Sequence, residues 1–116
     1  KTPGLHVEID GLSGGNKQKI MLGRLSLTAP QLVLLNEPTR GVDISAKPDI
    51  LKMIREELSR DAGVIMISDS EEELVEICDR VLVFLKGKVA REFVRGSAGF
   101  DVDTIYKTIQ GVEASV

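Results

Sequence analysis

Two short aliphatic runs, Leu32-Val33-Leu34-Leu35 and Val64-Ile65-Met66-Ile67, limit what this chain can fold into more than any other feature. Both are too short for a helix and apolar at every position, so they read as buried parallel strands covered on both faces. Between them Ile50, Leu51, Ile54 and Leu58 recur at helical spacing. That spacing predicts an amphipathic helix from about Ala46 to Arg60, stopped by Ala62-Gly63, with Arg55, Glu56 and Glu57 in solvent. Parallel neighbours need a crossover of this kind, and the expected architecture is α/β.

The flanking segments fit the same layers. Ile20, Met21, Leu22, Leu25 and Leu27 predict a helix from about Gly15 to Thr28 that ends at Ala29-Pro30, with Ser13 placed to cap its amides. Ser70-Glu71-Glu72-Glu73 has capping-box spacing and opens a short helix expected to carry Leu74, Ile77 and Cys78 inward. Val81 to Leu85 and Val89 to Val94 flank Lys86-Gly87-Lys88, so the third strand is expected to turn into an antiparallel hairpin partner. A last helix is expected over about Asp103 to Ile109.

With 116 residues and no internal repeat or linker, the chain reads as one small domain or part of one. Residues 1–11 are expected to be flexible. The Lys1-Thr2-Pro3-Gly4 start, without an initiator Met, reads as a piece of something longer. A single cysteine, Cys78, excludes an internal disulfide framework and favours an intracellular setting. With one Cys and one histidine, His6, metal clusters are not expected. The net charge of −3, the lack of a basic block and the 3% aromatic content argue against a nucleic-acid partner. No apolar run approaches the ~20 residues of a membrane span.

Ligands of open α/β sheets bind beyond the carboxyl ends of the strands. Three polar segments stand there: Asn36-Glu37 after the first strand, Ser68-Asp69-Ser70 after the second, and Ser13-Gly14-Gly15 at a helix head. Glu37 at a strand end can accept a proton from attacking water; it can equally be an exposed carboxylate meeting solvent. The Ser-Gly-Gly turn offers amides and a positive dipole end to a phosphate, or is a plain helix cap. Cys78 reads as core packing and His6 as a solvated ring.

Leu12-Ser13-Gly14-Gly15-Asn16-Lys17-Gln18 resembles the LSGGQ-type signature of ATP-binding-cassette (ABC) ATPases. Leu32 to Glu37 with Pro38-Thr39 resembles their Walker B strand, and Arg40-Gly41-Val42-Asp43 the D-loop after it. Asp79-Arg80-Val81-Leu82-Val83 and Lys86-Gly87-Lys88 resemble the strand and hairpin beyond the switch loop. The Asn-Lys-Gln-Lys ending of the signature, the Thr39 to Asp43 run and Ser68-Asp69 resemble the second cassette of the tandem ATPase subunits of bacterial ribose/galactose/xylose-type sugar importers. The resemblance runs from about Leu12 to Arg95. It implies the carboxyl-terminal half of a P-loop NTPase-like core, a parallel sheet with a terminal antiparallel hairpin.

The family's roles fall on residues of this chain as follows. Glu37 stands as the water-activating base. Ser13, Gly14, Gly15 and Asn16 stand where the signature contacts ATP held by an opposite cassette. Asn36 occupies the position of the Asp that holds Mg²⁺ through water; a neutral amide there implies metal affinity lower by roughly 10–100-fold. Asp69 replaces the switch His and would repel the γ-phosphate. Asp43 and Arg40 belong to a loop that crosses the cassette interface. No G-x-x-x-x-G-K-[S/T] occurs in the chain, nor the Q-loop expected before the signature, so tight Mg-ATP binding by these residues alone is not expected. The implied cofactors of the complete protein are ATP and Mg²⁺. The implied partners are a second cassette in trans or in tandem and membrane permease subunits, at the cytoplasmic face of the cell membrane, with a homodimer of this segment as a further option. The competing readings are a non-catalytic interaction or regulatory module and, more weakly, a cassette ATPase of translation or DNA repair.

Overall fold

In the computed structural model residues 14–111 are described; the expected flexible opening, His6 and Ser13 lie outside them. The chain divides into two compact units between Ile67 and Ser68. The first begins with helix α1 (Gly14–Leu27) and strand β1 (Leu32–Asn36). A 3-10 turn (Ile44–Ala46) then leads into helix α2 (Lys47–Met53), a π-helical segment (Ile54–Leu58) and a last α-helical turn (Ser59–Asp61), before strand β2 (Gly63–Ile67). The second unit holds helix α3 (Glu71–Ile77), strands β3 (Arg80–Leu85) and β4 (Lys88–Val94), and helix α4 (Val102–Ile109).

β1 and β2 are parallel, with Leu32 opposite Gly63 and Asn36 opposite Ile67. Gly63 also donates its amide to the Gln31 carbonyl at 2.9 Å, closing the ladder at its amino end. Leu22, Val33, Val42, Ile50, Leu51, Ile54 and Leu58 form the core of this unit. The two strands were expected to be buried on both faces, and they are not. Val33 is 3% exposed, but its neighbour Leu34 is 70% exposed, and Leu32, Ile65 and Ile67 share that open face. Alternation along a strand sends side chains to opposite faces, and here only one face is packed.

The expected single amphipathic helix is a composite. The Ser59 amide bonds to the Ile54 carbonyl, the wider π spacing, and the Ser59 hydroxyl donates to the Arg55 carbonyl. Ile54 and Leu58 are both buried along this segment. Ala62 then turns extended and feeds β2.

In the second unit β3 pairs antiparallel with β4, and the described strands form two separate two-stranded sheets. Lys86 and Gly87 both take positive φ (53° and 79°), the signature of a two-residue turn matched to strand twist. Val81, Val83, Phe93, Ile105, Leu74 and Ile77 make its core. Ser70 caps α3 as expected, accepting from the Glu73 amide at 3.3 Å. The reciprocal half of the capping box is rerouted: the Ser70 amide donates to the Ser68 hydroxyl at 3.0 Å, and the buried Glu73 carboxylate lies 3.5 Å from that hydroxyl. Cys78 is only half-buried, because it sits just past the last turn of α3 rather than on its inward face.

Candidate functional site

The carboxyl end of β1 is where the first unit's polar residues gather. Beyond Asn36 the ladder gains one more bond, as the Glu37 amide donates to the Ile67 carbonyl at 2.7 Å. Glu37 has φ +51°, a left-handed conformation that costs a non-glycine residue roughly 1–2 kcal/mol. Its carbonyl accepts from the Arg40 amide at 3.1 Å, closing a tight turn. The residue is thus held in its strained shape by backbone bonds on both sides. Such strain persists where the surroundings over-determine it, and it clusters at functional sites. The Glu37 side chain is 16% exposed, and an Arg40 Nη2 lies 3.6 Å from its Oε2.

The loop that follows is fastened to α1. Pro38, Thr39 and Val42 are buried, and the Val42 amide donates to the Thr39 carbonyl at 3.2 Å. The Gln18 side-chain amide donates to the Pro38 carbonyl. At the head of α1, a Cβ added to Gly14 would stand 3.0 Å from the Gly41 carbonyl oxygen. A side chain at this position would push the two backbones apart by a few tenths of an ångström. Gly41 itself has φ +76°. Farther along, Lys19 Nζ and Asp49 Oδ2 pair at 3.0 Å and tie α1 to α2.

The sequence-assigned residues therefore fall into three groups. Gly14, Gly15 and Asn16 head α1, which is docked on the loop from Glu37 to Asp43; Gly14 and Asn16 are exposed and Gly15 is buried. Asn36, Glu37 and Asp43 lie at or just after the end of β1. Asn36 is exposed, and Asp43, also exposed, precedes the 3-10 turn without a side-chain capping bond, only its carbonyl accepting from Ala46 at 2.9 Å. Asp69 belongs to the second unit, exposed in the loop ahead of α3. Ser13 lies outside the described residues. Sequence reasoning missed two anchoring residues, Gln18 and Gly41. Gln18 is four residues after Gly14 and so on the same helix face, a signal that was available once the head of α1 was suspected to matter.

Among the described residues no group of three or more His, Cys, Asp or Glu side chains is arranged to hold a metal ion. A lone carboxylate beside an amide oxygen fits a hard cation such as Mg²⁺, which takes one or two protein ligands and completes its shell with water and phosphate oxygens. Asn36, exposed at the end of β1, offers such an amide oxygen. No helix among the described residues is long and apolar enough to cross a membrane.

No protein-family model matches the chain. Over 90 residues it is 50% identical to the galactose/methyl galactoside import ATP-binding protein MglA of Pasteurella multocida (strain Pm70), a match covering 78% of this chain and 18% of that protein. The same coverage holds for the proteins of that name from Haemophilus influenzae (strain ATCC 51907 / DSM 11121 / KW20 / Rd), at 49% identity, and Clostridium perfringens (strain ATCC 13124), at 47%. The chain thus spans 18% of the length of the curated relatives it matches. Among solved structures it superimposes on the ADP conformation of MJ1267, an ATP-binding cassette of an ABC transporter. The TM-score is 0.68 at 20% identity, covering 90% of this chain and 39% of that one. A bacterial Atm1-family ABC exporter with ATP bound gives a TM-score of 0.62 at 24% identity, covering 90% and 17%. These likenesses establish the α/β cassette fold.

Proposed function

We propose that this chain, which belongs to the ABC ATPase family, is the part of a carbohydrate importer's ATP-binding subunit that activates water and completes a nucleotide site in an opposing cassette. The observation that carries the reading is Glu37. It sits at the carboxyl end of a parallel strand, strained and fixed by two backbone hydrogen bonds, with its side chain mostly shielded from solvent. A carboxylate so placed can accept a proton from attacking water, a role that needs defined geometry before anything else. Asn36 would hold Mg²⁺ through one of its waters. An ion held there would supply positive charge against the phosphates.

Ser13, Gly14, Gly15 and Asn16 would meet the phosphates of ATP gripped elsewhere, through the amides and positive end of α1. The docking of Gly14 against Gly41 supports this reading, since the head of α1 and the loop carrying Asp43 are then one rigid surface. Asp43 would face the opposing cassette, and Asp69 would stand at the switch position. The triphosphate grip itself would come from outside these 116 residues, which hold no P-loop motif. Permease subunits at the cytoplasmic face of the membrane and a second cassette are the partners this function requires. The non-catalytic alternative is not favoured, because the relatives at about half identity are named ATP-binding proteins of sugar import.

The test is Glu37→Gln in the full-length ATP-binding subunit that carries this segment. ATP should still bind, while kcat should fall by about 10²–10⁴-fold, the usual contribution of a positioned base. Turnover within about threefold of the parent would overturn the assignment.

A further inference from the structure

Glu37 is fastened through its backbone, but a glutamate still has three side-chain torsions to fix before its carboxylate has a defined place. The turn that closes on it supplies a candidate. Because the Arg40 amide donates to the Glu37 carbonyl at 3.1 Å, Arg40 is carried back over the strand end, and its Nη2 comes within 3.6 Å of Glu37 Oε2. The guanidinium is 70% exposed, so it approaches the carboxylate from the solvent side. Among the described residues this is the ion pair that each of the two side chains makes. Arg40 is thus not consumed in holding the loop, which is already fastened by Gln18, by the Gly14–Gly41 approach and by the burial of Thr39 and Val42.

We propose that Arg40 is a positioning residue for Glu37: its guanidinium, held over the strand end by the turn, restricts the carboxylate to the orientation in which it can take the proton from water. The inference rests on the water-activating role of Glu37. It assigns Arg40 to the cassette's own reaction, acting through Glu37 rather than on nucleotide. The contact is a single Nη2···Oε2 approach rather than a two-point fork, so lysine at this place would keep most of the attraction.

The pair is solvent-facing, so its effect is modest and screened by salt. In the full-length subunit, Arg40→Gln should lower kcat roughly two- to five-fold at low ionic strength with KM for MgATP unchanged. The deficit should shrink as KCl is raised to about 1 M, where the Debye length is about 3 Å. Arg40→Lys should recover most of the loss. An unchanged kcat, a KM that rises in step with it, or a deficit indifferent to both salt and the lysine variant would overturn the positioning role. The two readings fail separately: Glu37→Gln with near-parental turnover removes the base and this inference with it. A dead Glu37→Gln beside an Arg40→Gln deficit indifferent to both salt and the lysine variant removes Arg40 alone.

Discussion

The two units differ in how they use the polar side chains around their helix starts and loops. In the second, they are spent on structure. Ser70 caps α3, Asp101 caps α4 by accepting from the Thr104 amide at 2.7 Å, and the Arg95 guanidinium covers the last carbonyls of α3. Arg95 donates to the carbonyls of Val75 at 2.8 Å, Glu76 at 3.2 Å and Cys78 at 2.6 Å, and its cation lies 4.9 Å from the centre of the Phe100 ring. In the first unit neither the 3-10 turn nor α2 has a side-chain cap. There the loop from Glu37 to Asp43 is fastened by backbone contacts, the Gln18 amide and the burial of Thr39 and Val42, and Asp43 makes no side-chain capping bond. A region that fastens its loop through the main chain keeps its carboxylates available for chemistry; a region that fastens through side chains does not.

The sheet of the first unit repeats the contrast within a single element, since its packed face carries Val33 and its open face Leu34 and Ile65. Ile50→Ala, which empties a fully buried position in the first unit's core, should cost about 2–5 kcal/mol in denaturant unfolding, whereas Leu34→Ala, on the open face, should cost well under 1 kcal/mol in this chain. Equal losses for the two would erase the distinction between the faces. Next in size, Arg95→Ala leaves several helix-end carbonyls to water and should destabilise the second unit by about 1–2 kcal/mol, with no effect on the first. Hydrogen exchange resolved by residue would show protection lost in α3 only.

The smallest effect concerns Asp101, whose carboxyl is held below its ordinary value of 3.8, chiefly by the backbone hydrogen bond from Thr104. A lowered folded-state pKa means the ionised cap contributes fully above that value and is lost as pH falls through the folded one. Asp101→Ala should therefore be slightly less stable than the parent at neutral pH, and the gap should close in acid below about pH 4. A gap unchanged down to pH 2 would mean that the carboxylate is not what caps α4.

Much of this was legible in order along the chain. Apolar periodicity located α1, the two parallel strands, the hairpin and the closing helix to within a residue or two, because each depends on neighbours only two to four positions away. Residue identity also placed Asn36 and Glu37 at a strand end. The π segment was not legible, since the apolar pattern of Ile50, Leu51, Ile54 and Leu58 is the same for a regular helix and a widened one. Nor was the open sheet face, because an aliphatic run shows that both faces are apolar and not whether a layer covers them.

By itself, then, the sequence determined which elements form and which polar residues stand at their ends, since local backbone preferences and the spacing of apolar side chains are properties of short stretches. Tertiary structure decided the rest. The left-handed Glu37, the Gln18 bond to Pro38, the approach of Gly14 to Gly41 and the reach of Arg95 back to α3 all join residues whose separation in the chain carries no periodic signal. Those contacts form only when packed elements bring their backbones within hydrogen-bonding distance, and that packing is what turns a strand-end glutamate into one with a fixed place.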